Sequence, residues 1–368
     1  MSLSIGLVGL PNVGKSTLFN AISKNKAEAS NYPFCTIEPN TGIIPISDQR
    51  LEALNSVIHT EKIVPATLQI VDIAGLVRGA HKGEGLGNQF LSHIREVDAV
   101  VQVARCFEDN HIIHVESQVD PIRDITMITF ELCLKDLETV HKRIERAKKL
   151  VKGNQPLEKL ALTICEPLLT HLNEGKNAST FPLPDHENAH SIFQAMHLLT
   201  AKPTFFVANV DESSINHPES NPHYMALKAY GEQQKTDVIP ICARVEAQIA
   251  ELEPIDRPAF WESIGLKEPG LHAVARASYH TLNLLTFFTA GKQEIHAWTV
   301  PKGARAPQAA GVIHTDFERG FIKAEVIKWE DFVRHGGEGG CREAGKLHIQ
   351  GKGYVVEDGD VIHFRFNL

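Results

Sequence analysis

The chain has 368 residues, which suggests two or three domains at roughly 100–200 residues each. Its composition, 43% hydrophobic and 22% charged, excludes a disordered chain and leaves ample apolar material for cores. Thirty-seven basic residues against 45 acidic ones give a net charge of −8, which excludes a general nucleic-acid coat but not a local basic patch.

Six cysteines, Cys35, Cys106, Cys133, Cys165, Cys242 and Cys341, show no CxxC spacing and fit a reducing cytosol. The N-terminus lacks a basic region followed by a long apolar run, and no run approaches the ~18 residues of a membrane span. The expectation is a cytoplasmic chain with no membrane partner. Nineteen histidines carry no HExxH spacing and read as compositional bias.

In chain order, Leu3–Val8 is a short apolar strand ending in a Gly/Pro loop, and a helix follows from Lys15. Ala66–Val71 and Ala99–Ala104 are further buried-strand candidates. Strands alternating with helices imply a mostly parallel sheet covered on both faces. From about Ile125 the pattern becomes long helices. Cys133, Leu137, Val140, Ile144, Ala147 and Val151 form a heptad-like seam, broken at Gly153–Pro156. A second helix places Leu157, Leu160, Ile164, Leu168 and Leu172 on one face, with Pro167 expected to kink or interrupt it. Asp185 reads as the N-cap of a third helix through Leu199. Strands resume at Pro203–Ala208 and Val238–Cys242, so the helical block is an insertion into one α/β domain.

After Gly291 the chain is β-rich, with strands expected at Glu294–Val300, Gly311–Ile313, Ala324–Ile327 and Tyr354–Phe366, the last containing an Asp358-Gly359 turn. The Gly336–Gly340 run reads as a flexible loop.

Gly9-Leu-Pro-Asn-Val-Gly-Lys-Ser16 fits G-x-x-x-x-G-K-[ST] without a mismatch, after a strand and opening a helix. Backbone N–H groups from Asn12, Val13, Gly14, Lys15, Ser16 and Thr17 would face phosphate oxygens, aided by the helix N-terminus. Lys15 would reach the β- and γ-phosphates and the Ser16 hydroxyl would ligate Mg²⁺. Asp72-Ile-Ala-Gly75 ends a strand with D-x-x-G, the Asp facing the metal and the Gly N–H the γ-phosphate. Thr36 lies between them in a Pro-flanked loop, where it is either a further Mg²⁺ ligand or an ordinary loop residue. Leu76 stands where many GTPases have the water-orienting Gln, so another group must do that work. His114 is a candidate, against a plain surface histidine. Asn12 suits either a K⁺ ion near the phosphates or loop stabilisation. Gly79, Gly83, Gly85 and Gly87 read as a switch segment or a solvated loop.

Guanine-specific sites use N-K-x-D, whose Asp accepts from guanine N1–H and the 2-amino group. Here the corresponding strand ends in Asn209-Val-Asp-Glu212. The longer Glu212 cannot keep the same bidentate position, which points to ATP. Asn209 is expected to hydrogen-bond the base, and Val210 to pack on its edge or offer its backbone. Cys242-Ala243 stands where many GTPases have S-A-K.

These residues together resemble the YchF family, the bacterial branch of the Obg-like ATPases, over essentially the whole chain. The resemblance rests on Gly9–Thr17, Phe34–Gly42, Asp72–Leu76, Gly83–Phe90, the N-x-x-E form at Asn209–Glu212, and the C-terminal motifs Phe288–Gly291, Ala297–Val300, Ala306–Gly311 and His314–Phe317. It implies an α/β fold in three parts: a P-loop NTPase G domain (1–124 plus 200–277), an inserted helical coiled-coil domain (125–199), and a C-terminal β-grasp, ubiquitin-like TGS domain (278–364). It also implies slow ATP hydrolysis, a preference for ATP over GTP, and association with ribosomes. The segment His141–Lys152 carries Lys142, Arg143, Arg146, Lys148, Lys149 and Lys152 against Glu145, a net +5 that suits RNA contact or a solvated helix face. A monomeric nucleotide-dependent switch is the leading expectation. A GTPase switch, a small-molecule kinase, and an RNA-binding module with weak or vestigial nucleotide turnover are the rivals.

Overall fold

The computed structural model describes residues 3–24, 40–73, 86–109, 111–112, 118–151 and 155–367. Five N-terminal strands and one short pairing segment come first: β1 (Ser4–Val8), β2 (Thr41–Pro45), β3 (Ile63–Val64), β4 (Thr67–Asp72), β5 (Ala99–Arg105) and β6 (Thr204–Asn209). Then come β7 (Val238–Ile241), β8 (Leu284–Ala290), β9 (Ile295–Pro301), β10 (Phe321–Lys328), β11 (His348–Gln350) and β12 (Asp360–Phe366).

The first sheet has the order β2-β4-β1-β5-β6-β7. All its pairs are parallel except β2 with β4. Strand β5 is buried along its whole length, as a parallel strand covered by helices on both faces should be. The strand order reverses at β1, so a crevice opens beyond its C-terminal end.

The insertion is a helical hairpin. Pro121–Val151, 31 residues, packs against Pro156–Asn173 through Cys133, Val140, Ile144, Cys165, Leu168 and Leu172. The second helix runs through Pro167 without interruption, while Leu157 lies exposed outside the seam. The expected third helix is much shorter, Ala189–Gln194, with Asn188 rather than Asp185 at its N-cap. It stops because His197 turns left-handed (φ 48°), which sends Met196 and Leu198 into the hairpin core. The chain then returns over Asp136, whose buried carboxylate accepts from Leu199 N (2.8 Å), Thr200 N (2.8 Å) and the Thr200 hydroxyl (2.7 Å).

The second sheet has the order β11-β10-β12-β8-β9-β3. β8 and β9 form an antiparallel hairpin, β12 lies parallel to β8, and β10 runs antiparallel to β12. With a helix between β9 and β10, this is the β-grasp topology. That helix, Ala306–Ile313, replaces the strand expected at Gly311–Ile313: Ala306, Ala309 and Ala310 bury one face, and the Gln308 side chain accepts from Arg305 N at its start. The Asp358-Gly359 turn forms as expected, but the strand starts only at Asp360. The Gly336–Gly340 run is not a loop throughout, because Glu338–Glu343 is a helix. A side chain at Gly340 would collide with the His335 carbonyl, so the turn needs glycine there.

The two sheets share one core. Leu51 and Leu54, on the helix Gln49–Ile58, belong to the same buried cluster as Phe288, Ile295, Phe332 and Val361. β3 pairs in parallel with β9, adding a segment of the N-terminal part to the C-terminal sheet. Arg50 sits at this junction, bonded to Asp48 (2.7 Å) and Asp358 (2.6 Å), with its guanidinium 5.0 Å from the Phe288 ring centre. The helix Gly270–Thr281 runs across residue 278, so that boundary falls inside an element.

Candidate nucleotide site

The crevice beyond β1 is filled by the Gly9–Ser16 loop. Asn12 (φ 65°) and Gly14 (φ 93°) take left-handed backbone, and the helix Lys15–Lys24 starts with Leu18 N bonded to Gly14 O at 3.0 Å. Gly14 is required twice over: by its φ, and because a Cβ there would strike the Asn209 amide. Successive N–H groups turning into a helix N-terminus make the anion cradle that the motif requires.

Lys15 is 7% exposed, and its ammonium is bonded to the Asp72 carboxylate at the end of β4. Ser16 and Thr17 follow on the exposed face of the first turn. A hydroxyl and a carboxylate on adjoining strand and helix ends are hard oxygen donors, the set that suits Mg²⁺. The residues present therefore fit that ion. Thr36, Gly75, Leu76 and His114 lie outside the described residues, as do Gly79, Gly83 and Gly85.

A cavity of about 750 Å³ runs from Asn12, Gly14 and Thr17 to Asn209, Val210 and Glu212, floored by Cys242 and Ala243. Asn209 braces two loops. It is 4% exposed, its amide nitrogen donates to Val13 O (2.8 Å), and its amide oxygen accepts from Ala243 N (3.0 Å). It ties the phosphate loop to the base-side loop, because a buried amide is stable only when both ends are bonded. Val210 is buried and its N–H bonds Ile241 O at 2.8 Å, so what it offers the cavity is its edge and its carbonyl side. Glu212 is held by Arg244, Oε1 to Nε 3.1 Å. Burial raises the Cys242 thiol above its ordinary range, so it is no nucleophile at neutral pH.

Two neighbours carry no motif. Glu246 lies on the helix Ala243–Glu251 that leaves the base-side loop, 3% exposed, and accepts from Gly270 N at 2.7 Å. Burial pushes its carboxyl up to about 7, with the N–H groups of Gly270 and Leu271 working the other way. Arg105, the last residue of β5, is 2% exposed and lies behind the wall formed by Phe107, Glu108, Asp109 and Ile112. An Arg ending a strand that is apolar but for Gln102 is the signal that marks it in the sequence.

The basic helix is partly neutralised. Arg143 is paired with Glu158 (2.6 Å) and Lys148 with Glu166 (3.3 Å), both across the hairpin. Lys142, Arg146 and Lys149 remain exposed, and Lys152 lies outside the described residues. Among the described residues, the one cluster with three potential metal ligands, Glu325, Glu338 and His363, has its carboxylates on Arg365 (3.1 Å) and Arg342 (2.8 Å).

A phosphate loop at the switch point of this sheet, faced by a strand-end carboxylate, defines a P-loop nucleotide-binding protein. A family model described as 50S ribosome-binding GTPase matches residues 4–135, and the YchF-GTPase_C model, described as a protein of unknown function, matches 284–367. Proteins called "Ribosome-binding ATPase YchF" from Haemophilus ducreyi (50% identical) and Bacillus subtilis (49%) align over 100% of both chains. The solved structure of the Schizosaccharomyces pombe YchF GTPase is 37% identical, with a TM-score of 0.87 over 99% of this chain and 98% of that one. The chain belongs to the YchF family.

Proposed function

We propose that this chain is an ATPase that binds ribosomes and uses the Gly9–Ser16 site as a slow switch. The observation that carries the reading is the single cavity joining an intact phosphate loop to an N-x-x-E base segment. Backbone N–H groups at Val13 to Thr17 bind the phosphates, and Lys15 stabilises charge developing between the β- and γ-phosphates. Ser16 and Asp72, with Thr36, would hold Mg²⁺, which would supply neutralisation of phosphate charge. In this reading the Gly75 N–H would sense the γ-phosphate and Thr36 would report whether it is present. Leu76 cannot orient water, which leaves His114, a backbone group or a K⁺ ion held near Asn12 to do so.

Glu212 is one methylene longer than the Asp of guanine-specific sites and cannot keep that Asp's bidentate position on guanine N1–H and the 2-amino group. That favours ATP over GTP. The three-part division, with a G domain, a helical insertion and a TGS-type β-grasp, accompanies this reading. The exposed Lys142, Arg146 and Lys149 are the proposed contacts to ribosomal RNA. A cytoplasmic monomer fits the role. Among the described residues no helix is long and apolar enough to cross a membrane.

The test is ATP turnover with purified ribosomes present and absent, in wild type and Lys15→Ala. The proposal expects ATP turnover and ribosome co-sedimentation in wild type, with turnover abolished in a folded Lys15→Ala protein. Equal turnover in both would sink it.

A further inference from the structure

Strand β5 ends in a charge that no motif explains. Arg105 is among the largest fully buried side chains of the molecule, and a buried guanidinium persists only when its donors are used. Its Nε donates to Phe107 O (3.1 Å), one terminal nitrogen to Ile112 O (2.9 Å) and the other to Asp109 O (3.1 Å). The guanidinium lies 4.5 Å from the Phe107 ring centre. One side chain thus gathers three carbonyls from the segment that follows β5.

Phe107, Glu108, Asp109 and Ile112 of that segment line the nucleotide cavity together with Glu212 and Arg244. The segment's outer side is held separately. Asn221 donates to Cys106 O (2.7 Å), and His223 contacts Glu108 (3.0 Å). None of these contacts touches the phosphate loop, which is braced by Asn209 instead.

We propose that Arg105 is a positioning residue for the base and ribose half of the ATP site: it pre-folds the wall of Phe107, Glu108, Asp109 and Ile112 so that ATP binding does not have to order it. The inference rests on the ATP reading above. Carbonyls gathered in advance remove a conformational cost from the binding step, and they do so only for ligands that reach the wall. Tripolyphosphate, which has no base or ribose, stops at the phosphate loop and gains nothing from it.

The experiment compares calorimetric affinities for ATP and for tripolyphosphate in wild type, Arg105→Met and Arg105→Lys, with thermal melting alongside. The expected result is about tenfold weaker ATP binding in Arg105→Met, the scale of ordering one or two loop side chains, with tripolyphosphate affinity unchanged. Arg105→Lys keeps the charge without the three-pronged geometry, folds if the methionine variant does not, and shows the same split. Equal weakening of both ligands in the folded variant, or no weakening of ATP, overturns the inference. Wild-type protein that bound tripolyphosphate but not ATP would overturn the ATP reading itself, and this inference with it.

Discussion

Lys15 and Asp72 are bonded to each other, joining the first residue of the P-loop helix to the last residue of β4. The lysine that should meet the phosphates and the carboxylate that should face the metal therefore satisfy one another. For Lys15 to reach a phosphate and Asp72 to face a metal ion as proposed, this pair would have to open.

The first prediction follows from that opening. With a chelator present, Asp72→Asn should bind ATP more tightly than wild type, by about tenfold, because Lys15 is no longer held by a charge. With Mg²⁺ present, the same variant should lose turnover by about 100-fold or more. Titrating nucleotide with and without Mg²⁺ checks both directions. Weaker binding without Mg²⁺ would show that the pair does not compete with the ligand.

Asn209 gives the second. Asn209→Ala leaves Val13 O and Ala243 N buried without their partner, at a cost of about 1–3 kcal/mol each. The variant should melt lower and lose ATP and tripolyphosphate affinity together, since the phosphate loop itself is loosened. Chemical denaturation and calorimetry read the two effects. Loss of ATP affinity alone would return Asn209 to a role on the base.

Glu246 makes a prediction about pH. Its carboxyl is raised from its usual range to about 7, so the folded protein holds a proton that the unfolded chain releases near 4.5. The stability it confers is complete below the unfolded value and is lost as pH rises towards about 7. Glu246→Gln keeps an acceptor for Gly270 N and removes that loss. The variant should therefore gain in melting temperature over wild type from pH 4.5 to 7, with a constant difference above. His272, which lines the same small cavity and whose imidazole is lowered by burial, titrates in both proteins and cancels. A difference that is flat across this range would contradict the burial argument.

The junction of the two sheets supplies the fourth. Arg50→Met removes the bonds to Asp48 and Asp358 and the contact with Phe288, while β3 still pairs with β9. The expected loss is about 1–3 kcal/mol, because one partly buried cation serves two carboxylates. Scanning calorimetry should show the transition moving down as one cooperative event, since the core runs through both parts. Two separated transitions in wild type would show that the shared core does not couple them.

The parallel strands were legible because buried strands read as continuous apolar runs, and five of them fall within a residue or two of their expected bounds. The phosphate loop was legible because its glycines and lysine are set by local geometry. What failed was tertiary. Gly311-Val-Ile313 looks like a strand until the three alanines before it bury a helical face. Asp185 looks like a cap until Met196 and Leu198 turn inward and shorten the helix. The His141–Lys152 run, with its six cations, hid two ion pairs because Glu158 and Glu166 arrive from the partner helix. For the base, the N-x-x-E motif singles out Asn209. Its bracing role depends on Val13 and Ala243, which are distant in sequence.

The central claim is a site built for ATP. The most direct measurement is the affinity of the wild-type protein for ATP and for GTP, side by side with Mg²⁺ in one buffer. The account predicts tighter binding of ATP, by about tenfold or more. GTP bound as tightly as ATP, or more tightly, would contradict it.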